Sequence, residues 1–504
     1  MAKNQFKTIA WLMSFILISG CASFQGINSK ATIQKPDAVS PEQLKEASKP
    51  LDSKWWQVFQ DNQLNWLLDQ GTAHSPTLKQ ADARVRRALA SAGEVKSGDR
   101  PHIDANADMG YHKWPEDSHY GGGLAGEHTW DNTANLQFSY HLDLFDRQAN
   151  RNRQAHANIA LSQASAQAAR LQLEGNLLRS YIQLTLYYQE LDVERARLEQ
   201  QNHIVRLNQQ RLDYGLGSQY DLQQSMALLP ITQRRISVLH EQIKLTKNQL
   251  MTLAGLPLSQ TAQLQRPSLV LTDELHLPQA LPIALIGHRP DLVASRWQIV
   301  SSARGIDLAK ADFYPNINLH AMLGQMMTLG GLSNFFEAKN RTYSVGPALS
   351  LPIFDGGARR ARLGIATADY DEAIEGYNAT LQTALRQVSD EMIRQQSIRQ
   401  QSQLADLGVD RANQVYTTAQ EAFKRGLRDY LHVLDAQSRL FDQEIARATV
   451  QSELMRSQVD LAIAMGGGIT FESTPASLQL LPTQAAQAKQ AAEKTAATTV
   501  TKQN

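Results

Sequence analysis

The 504-residue chain has a single cysteine, Cys21, so it can form neither an internal disulfide framework nor a thiolate metal cluster. It has few long hydrophobic runs. Outside the first twenty residues no stretch approaches the roughly 20 consecutive apolar positions that a spanning helix needs, which excludes a bundle of membrane helices. It has no excess of either charge: 50 Lys and Arg stand against 49 Asp and Glu, a formal +1, and no broad basic field offers itself to nucleic acid. Catalytic motifs are missing too. His240-Glu241 lacks the second His of a zinc protease, and there is neither a Gly-x-Ser-x-Gly elbow nor a phosphate-binding Gly-Lys pattern, so no enzyme and no cofactor is expected. Two stretches lack proline altogether, residues 116–229 and 353–474, which leaves room for helices far longer than usual.

What is present begins with an export signal, predicted over residues 1–20. Lys3 and Lys7 precede an apolar run from Thr8 to Ile18, too short to span a bilayer and of the right length for a secretory core. The run ends in Ile18-Ser19-Gly20-Cys21, which resembles a bacterial lipobox, where the cysteine thiol is acylated and Cys21 becomes the first mature residue. Ala22, rather than Asp, follows it, which in the resembled class implies delivery to the outer membrane.

The mature chain is written twice. His74-Ser75-Pro76-Thr77-Leu78 aligns with His288-Arg289-Pro290-Asp291-Leu292, Pro101 with Pro315, Leu142-Asp143-Leu144-Phe145-Asp146 with Leu351-Pro352-Ile353-Phe354-Asp355, and Gly215-Leu216 with Gly426-Leu427, in one order. Each copy holds two alternating segments. Ile103 to Tyr111, Leu136 to Leu144, Ile317 to Gly324 and Tyr343 to Ile353 read as four strands with one apolar and one mostly polar face. That is the pattern of outer-membrane strands, the ordinary alternative being a half-buried soluble sheet. Phe138, Tyr140 and Leu142 are expected to face lipid, residues 114–131 and Met326 to Arg341 to form outer loops, and His102, His112, His119, His128 and His141 to lie at the rim or lumen, their spacing matching no metal-ligand motif.

The proline-free stretches carry the helical signal. Leu177, Leu184, Leu191, Leu198, Val205 and Leu212 fall seven residues apart with Tyr181 and Tyr188 between them, and Leu222, Leu229, Ile236, Ile243 and Leu250 repeat the spacing beyond a glycine pair. This predicts helical hairpins with arms at Gln148–Tyr214 and Asp221–Leu253, and again at Ala358–Arg425 and Tyr430–Met465, the long arms reaching roughly 100 Å at 1.5 Å per residue. The expected organisation is a signal peptide (1–20), a lipidated segment with part of an equatorial layer (21–73), a first repeat (74–253), an irregular layer (254–287), a second repeat (288–468) and a polar tail (469–504).

Four strands cannot close around anything, and an open edge in lipid leaves unpaired amides, so such subunits must associate; three would give twelve strands and a polar lumen, continued by helices. With these features in place, the duplicated plan, together with Phe313-Tyr314-Pro315, Leu351 to Gly357, and Gly426-Leu427-Arg428 near Val433-Leu434-Asp435-Ala436, resembles the outer membrane factors of tripartite efflux pumps, the TolC-like proteins, and the lipobox matches their NodT lipoprotein branch. The resemblance implies an α+β membrane protein, a homotrimer whose 12-stranded barrel takes four strands per chain and continues as a periplasmic coiled-coil tunnel. It further implies a periplasmic adaptor, an inner-membrane transporter and outer membrane lipid as partners. By the same resemblance, Gly215, Leu216, Gly217, Ser218 and Gly426, Leu427, Arg428 are adaptor-contacting tips, and Asp221, Arg428, His432 and Asp435 line the periplasmic aperture. His432 departs from the family, where an acidic residue is common, so one of two carboxylate rings is missing. Read from the residues alone, these are also solvated charges that cap helices at a turn. The alternatives are a duct for type I protein secretion or metal ions, or a trimeric coiled-coil surface lipoprotein without a channel.

Overall fold

A computed structural model describes residues 25–34, 52–116, 123–269, 288–327 and 334–469; Cys21, the signal peptide, His119 and the tail beyond Ile469 lie outside them. Helices α1 (Asn62–His74) and α2 (Pro76–Ser97) lead into β1 (His102–Lys113) and β2 (His128–Leu142), then α3 (Arg147–Asp213) and α4 (Gln219–Leu253). The second half repeats the order with α5 (Pro290–Ala311), β3 (Asn316–Met327), β4 (Arg341–Ser350), α6 (Ala358–Lys424) and α7 (Tyr430–Ala464). Both long arms have 67 residues and both return arms 35. Among the described residues no helix is long and apolar enough to cross a membrane.

The strands form one antiparallel sheet in the order β1-β2-β3-β4, so the two halves meet at β2–β3. Its register separates two faces along the middle of the sheet, with Met322 an apolar side chain on the otherwise polar one. Ala105, Leu136, Leu323 and Tyr343 stand in one cross-strand row and Ile103, Phe138, Ala321 and Val345 in the next, an apolar face that includes the expected Tyr140 and Leu142. The opposite face carries Asp104, Gln137, Met322 and Ser344 in one row and Asn106, Asn135, Gly324 and Thr342 in another. Two strand ends differ from the sequence expectation. Alternation continues to Leu144 and to Ile353, but pairing stops at Leu142 and Ser350, because Asp143 accepts the Ala149 N–H (2.8 Å) and Asp355 the Gly357 N–H (3.0 Å), both turning the chain into a long helix. β2 starts at His128, eight residues before the expected alternation, because the polar Asn132 sits on the apolar face and hides the period.

The heptads form the helical seam. Leu177, Tyr181, Leu184 and Leu191 are buried in α3, and Leu222, Ile243 and Leu250 in α4. The intervening positions of α4 are Ser225, Thr232, Leu239 and Thr246, all buried; the three small polar ones satisfy their hydroxyls on the helix itself where bonds form, as from Thr246 Oγ1 to the Gln242 carbonyl (2.7 Å), and let the helices approach closely. α3 also packs on α7 and α5, and α6 on α7 and α5. The α3–α7 seam carries three ion pairs along its length, Arg179–Asp460 (2.6 Å), Arg197–Asp442 (2.8 Å) and Arg211–Asp429 (4.0 Å).

Consequently each level of the chain is an open row of four. In the sheet it is β1-β2-β3-β4, in the nearer helices α2-α3-α5-α6, and in the farther helices α4-α3-α7-α6. One side of every row belongs to the first repeat, and the other to the second. Both outer sides leave large apolar residues in solvent: Leu228, Ile231, Val238 and Leu245 on α4, and Ile393, Leu404 and Leu407 on α6.

A belt of irregular chain holds the middle. Trp55, Trp56 and Phe59 pack with Leu64, Leu67 and Leu68 of α1 against Leu173, Leu177 and Tyr181 of α3. Tyr181 is fully buried and donates its hydroxyl to Asp61 (3.0 Å), which caps α1 through the Gln63 and Leu64 N–H groups and also accepts from the Ser268 N–H (2.8 Å). Burial pushes the Tyr181 hydroxyl well above the usual phenol range. In the second half Arg289 of the repeated His-x-Pro motif does related work: it pairs with Asp291 (2.7 Å) and donates to the last-turn carbonyl Ala464 (2.8 Å) and to Gln387 (2.9 Å), joining α5, α6 and the end of α7. The segment from Gln25 to Gln34 runs along α6. Arg360 donates to the Gln25 carbonyl (3.0 Å), Ser29 and the Lys30 N–H donate to Asp371, and Asn378 bonds both the Thr32 carbonyl and the Gln34 N–H.

Candidate functional site

The far ends of both hairpins are built alike. α3 ends in a Schellman turn: Leu216 donates to the Arg211 carbonyl (2.7 Å) and Gly215 to Leu212 (3.0 Å), with Gly215 at φ 70°. α6 ends the same way through Leu427 to Ala422 (2.9 Å) and Gly426 to Phe423 (2.9 Å), with Gly426 at φ 71°. Left-handed φ is what fixes glycine at these two positions. Leu216 and Leu427, at the apex of each tip, are strongly exposed.

The expected aperture residues occupy different environments. Asp221 closes a capping box at the start of α4: Ser218 Oγ accepts the Asp221 N–H (3.1 Å), while the Asp221 carboxylate accepts from the Ser218 hydroxyl (2.7 Å) and N–H (3.3 Å). The other three come together on the second hairpin. Arg428 lies 3.4 Å from His432 Nε2, and Asp435 is paired with Arg439 (3.1 Å) one turn on. The nearby residue that sequence reasoning passed over is Asp429. It caps α7 through the His432 N–H (3.3 Å), meets His432 Nδ1 (3.1 Å), and faces Arg211 from the end of α3, so it links the two tips of one chain. Its signal in the sequence was only an Asp after Gly-Leu-Arg and before a helix, a usual N-cap position.

Partial burial would raise the Asp429 carboxyl, but hydrogen bonds from the His432 ring and from the His432 and Leu431 N–H groups outweigh it and hold the group below the ordinary carboxylate range. A depressed carboxylate stabilises the fold above its unfolded value, near 3.9, and that contribution is lost as pH falls through the lowered value. Amide exchange at Leu431 and His432, relative to neighbouring helix, should therefore rise below about pH 4 in the native chain and stay flat in Asp429→Asn, which caps without a charge. Equal acid response in both would exclude Asp429 as the source.

The polar sheet face carries Asp104, Asp108 and Asp131 together with His102, His112, His141 and His320. His141 Nδ1 meets Asn318 Oδ1 (3.0 Å), and no cluster of His, Cys, Asp and Glu suited to a metal occurs among the described residues. His128 instead stacks on Tyr111, at 5.9 Å between rings, beside Trp130 at the outer end of the sheet.

A sheet with one lipid-like and one water-like face, continued by helices about 100 Å long, is the geometry of a channel wall. A family model for outer membrane efflux proteins matches residues 67–256 and 281–467, well over half the chain. The chain belongs to the outer membrane efflux protein family. This efflux protein is 37% identical over 366 residues to the fusaric acid resistance protein FusA of Burkholderia cepacia, covering 71% of this chain and 69% of that one. It is 27% identical to the multidrug resistance outer membrane protein MdtQ of Escherichia coli O157:H7 over 92% of this chain and 98% of the relative. Among solved structures it resembles the outer membrane protein VceC of Vibrio cholerae (29% identity, 83% of this chain and 99% of that one, TM-score 0.75). The Campylobacter jejuni CmeC outer membrane channel shares the fold at 22% identity over 90% of this chain and 98% of that one, with TM-score 0.81. The efflux protein is thus an outer membrane channel of the expected α+β class, with four membrane strands and long periplasmic helices per chain, in a family of channels rather than enzymes.

Proposed function

We propose that three copies of this chain close head to tail into a 12-stranded barrel and helical tunnel, anchored by an acylated Cys21. The duct gives passive exit to toxic small organic compounds passed on by an inner-membrane transporter through a periplasmic adaptor. The observation that carries the reading is the open row at every level. Among the described residues β1 lacks a partner on one side and β4 on the other, and the apolar outer faces of α4 and α6 match them below. A single rotation that seats β4 and α6 of one chain on β1 and α4 of the next satisfies sheet edge and helix edge together, and repeated, it closes a ring.

The segment from Gln25 to Gln34, tied along α6, supports the anchor. Gln25 is held by Arg360 in the first turn of α6, at the barrel end of that helix, and four residues of chain reach at most ~14 Å from Gln25 back to Cys21, within range of the inner leaflet. The substrate class is supported by the names of the relatives, a fusaric acid resistance protein and a multidrug resistance protein.

Purified protein in planar bilayers should give discrete ion channels of low conductance. Replacing Asp435 and Arg428 together by uncharged residues should raise single-channel conductance several-fold, as charge contacts at the constriction are lost. A trimer that never conducts would support a stalk; conductance unchanged in the double variant would remove these two residues from the constriction.

A further inference from the structure

A groove with a cavity volume of about 530 Å³ runs between the end of α6 and the start of α7, within the range of small-molecule sites. Its lining combines the apolar Val415, Ala419, Ala422 and Ala436 and the neutral Gln414 and Thr418 with Arg411, Arg428, Arg439, Asp435 and His432. Three guanidinium groups therefore face one carboxylate. Asp435 is already engaged by Arg439, and among the described residues Arg411 contacts only the neutral Gln414 (3.0 Å) and Arg428 only the His432 ring. The nearby acids are engaged by other groups, Asp429 by His432 and Arg211, Asp442 by Arg197 and Glu421 by Arg425. Two arginines without a carboxylate partner, Arg411 on α6 and Arg428 in the turn before α7, line the groove beside its apolar side chains and offer the bidentate donors and the flat surface that an amphipathic organic anion requires, and they repel a cation.

We infer that this groove binds amphipathic organic monocarboxylates, aromatic acids foremost, and that the periplasmic end of the channel favours anions. The inference rests on the proposed aperture, since residues 428, 432 and 435 are those assigned to it. His432 is part of the reason: an acidic side chain there would lie beside Arg428 and neutralise it, whereas the imidazole leaves the guanidinium free for a ligand.

The test uses the full-length trimer in detergent and 2-naphthoate as the probe, with 2-naphthamide and 2-naphthylmethylammonium as neutral and cationic counterparts, read by calorimetry. Naphthoate should bind at least ten-fold tighter than either counterpart. Arg411→Gln with Arg428→Gln should abolish that preference, and His432→Asp should weaken naphthoate binding ten-fold or more while leaving the far-ultraviolet spectrum unchanged. In bilayers, naphthoate should reduce single-channel current at concentrations where naphthamide does not. Channels that conduct normally but bind all three probes equally would overturn the anion site and leave the duct intact; loss of conductance in the native protein would strike the duct itself. Binding of naphthoate that survives both arginine substitutions would place it elsewhere and equally refute the groove.

Discussion

Leu323→Arg should abolish stable insertion of the protein into outer membrane, whereas Met322→Arg, one residue away, should insert. Leu323 lies at the middle of β3 on the apolar face, 62% exposed in the single chain, in a row with Leu136 and Tyr343; Met322 lies between Gln137 and Ser344 on the polar face. A lipid-facing arginine near the bilayer midplane costs ~2–4 kcal/mol, and three copies in the proposed trimer bring this to ~6–12 kcal/mol, comparable to the whole stability of a domain. On the polar face the guanidinium meets water. Flotation of membrane fractions and the trimer band on unheated gels would read the difference. Equal tolerance of the two substitutions, or the reverse order, would mean that the apolar face does not meet lipid.

The second large effect is expected at the equatorial belt. Tyr181→Ala should cost ~3–5 kcal/mol, since it empties a fully buried aromatic site under Trp55, Trp56 and Phe59. Tyr181→Phe keeps the ring and loses two hydrogen bonds, one to Asp61 and one from Gln63 Nε2, ~1–3 kcal/mol, because Asp61 retains the Ser268, Gln63 and Leu64 N–H groups and Gln63 Nε2 retains the Gln265 carbonyl. Guanidinium unfolding followed by fluorescence of the two neighbouring tryptophans would measure both. If the two variants proved equally stable, the belt would not be what the ring holds together.

The long helices were legible because their signals are redundant. A seven-residue period, no proline for over a hundred residues and a glycine at each reversal agree with one another, and the long arms fall within one residue of the expected bounds at both tips, while α4 starts at Gln219, two residues before the expected Asp221. Pro230 did not break α4, since it sits on the exposed side nearly a dozen residues inside a helix whose buried stripe is intact. Strand ends were less legible, since alternation is a local pattern and pairing is not: Leu144 and Ile353 continue the period after the partner strand has gone. At the tips the residue types were readable and their partners were not. Asp221 and Asp429 are both acids beside a turn, yet one closes on its own helix and the other reaches Arg211 across two hairpins. Arg411 carried no signal at all, being one of many polar residues on a long helix until the fold laid α7 beside it.

The ion pairs between α3 and α7 bear on how the tunnel opens. In the proposed trimer, the six seams between neighbouring hairpins alternate between two chemistries. Three lie inside a chain and are riveted by Arg179–Asp460, Arg197–Asp442 and Arg211–Asp429, contacts with direction and limited travel. The other three lie between chains and meet through leucine, isoleucine and valine, which slide at small cost because apolar contact has no preferred angle. Such a ring dilates as an iris with three stiff blades, each blade one polypeptide, rather than as six independent staves.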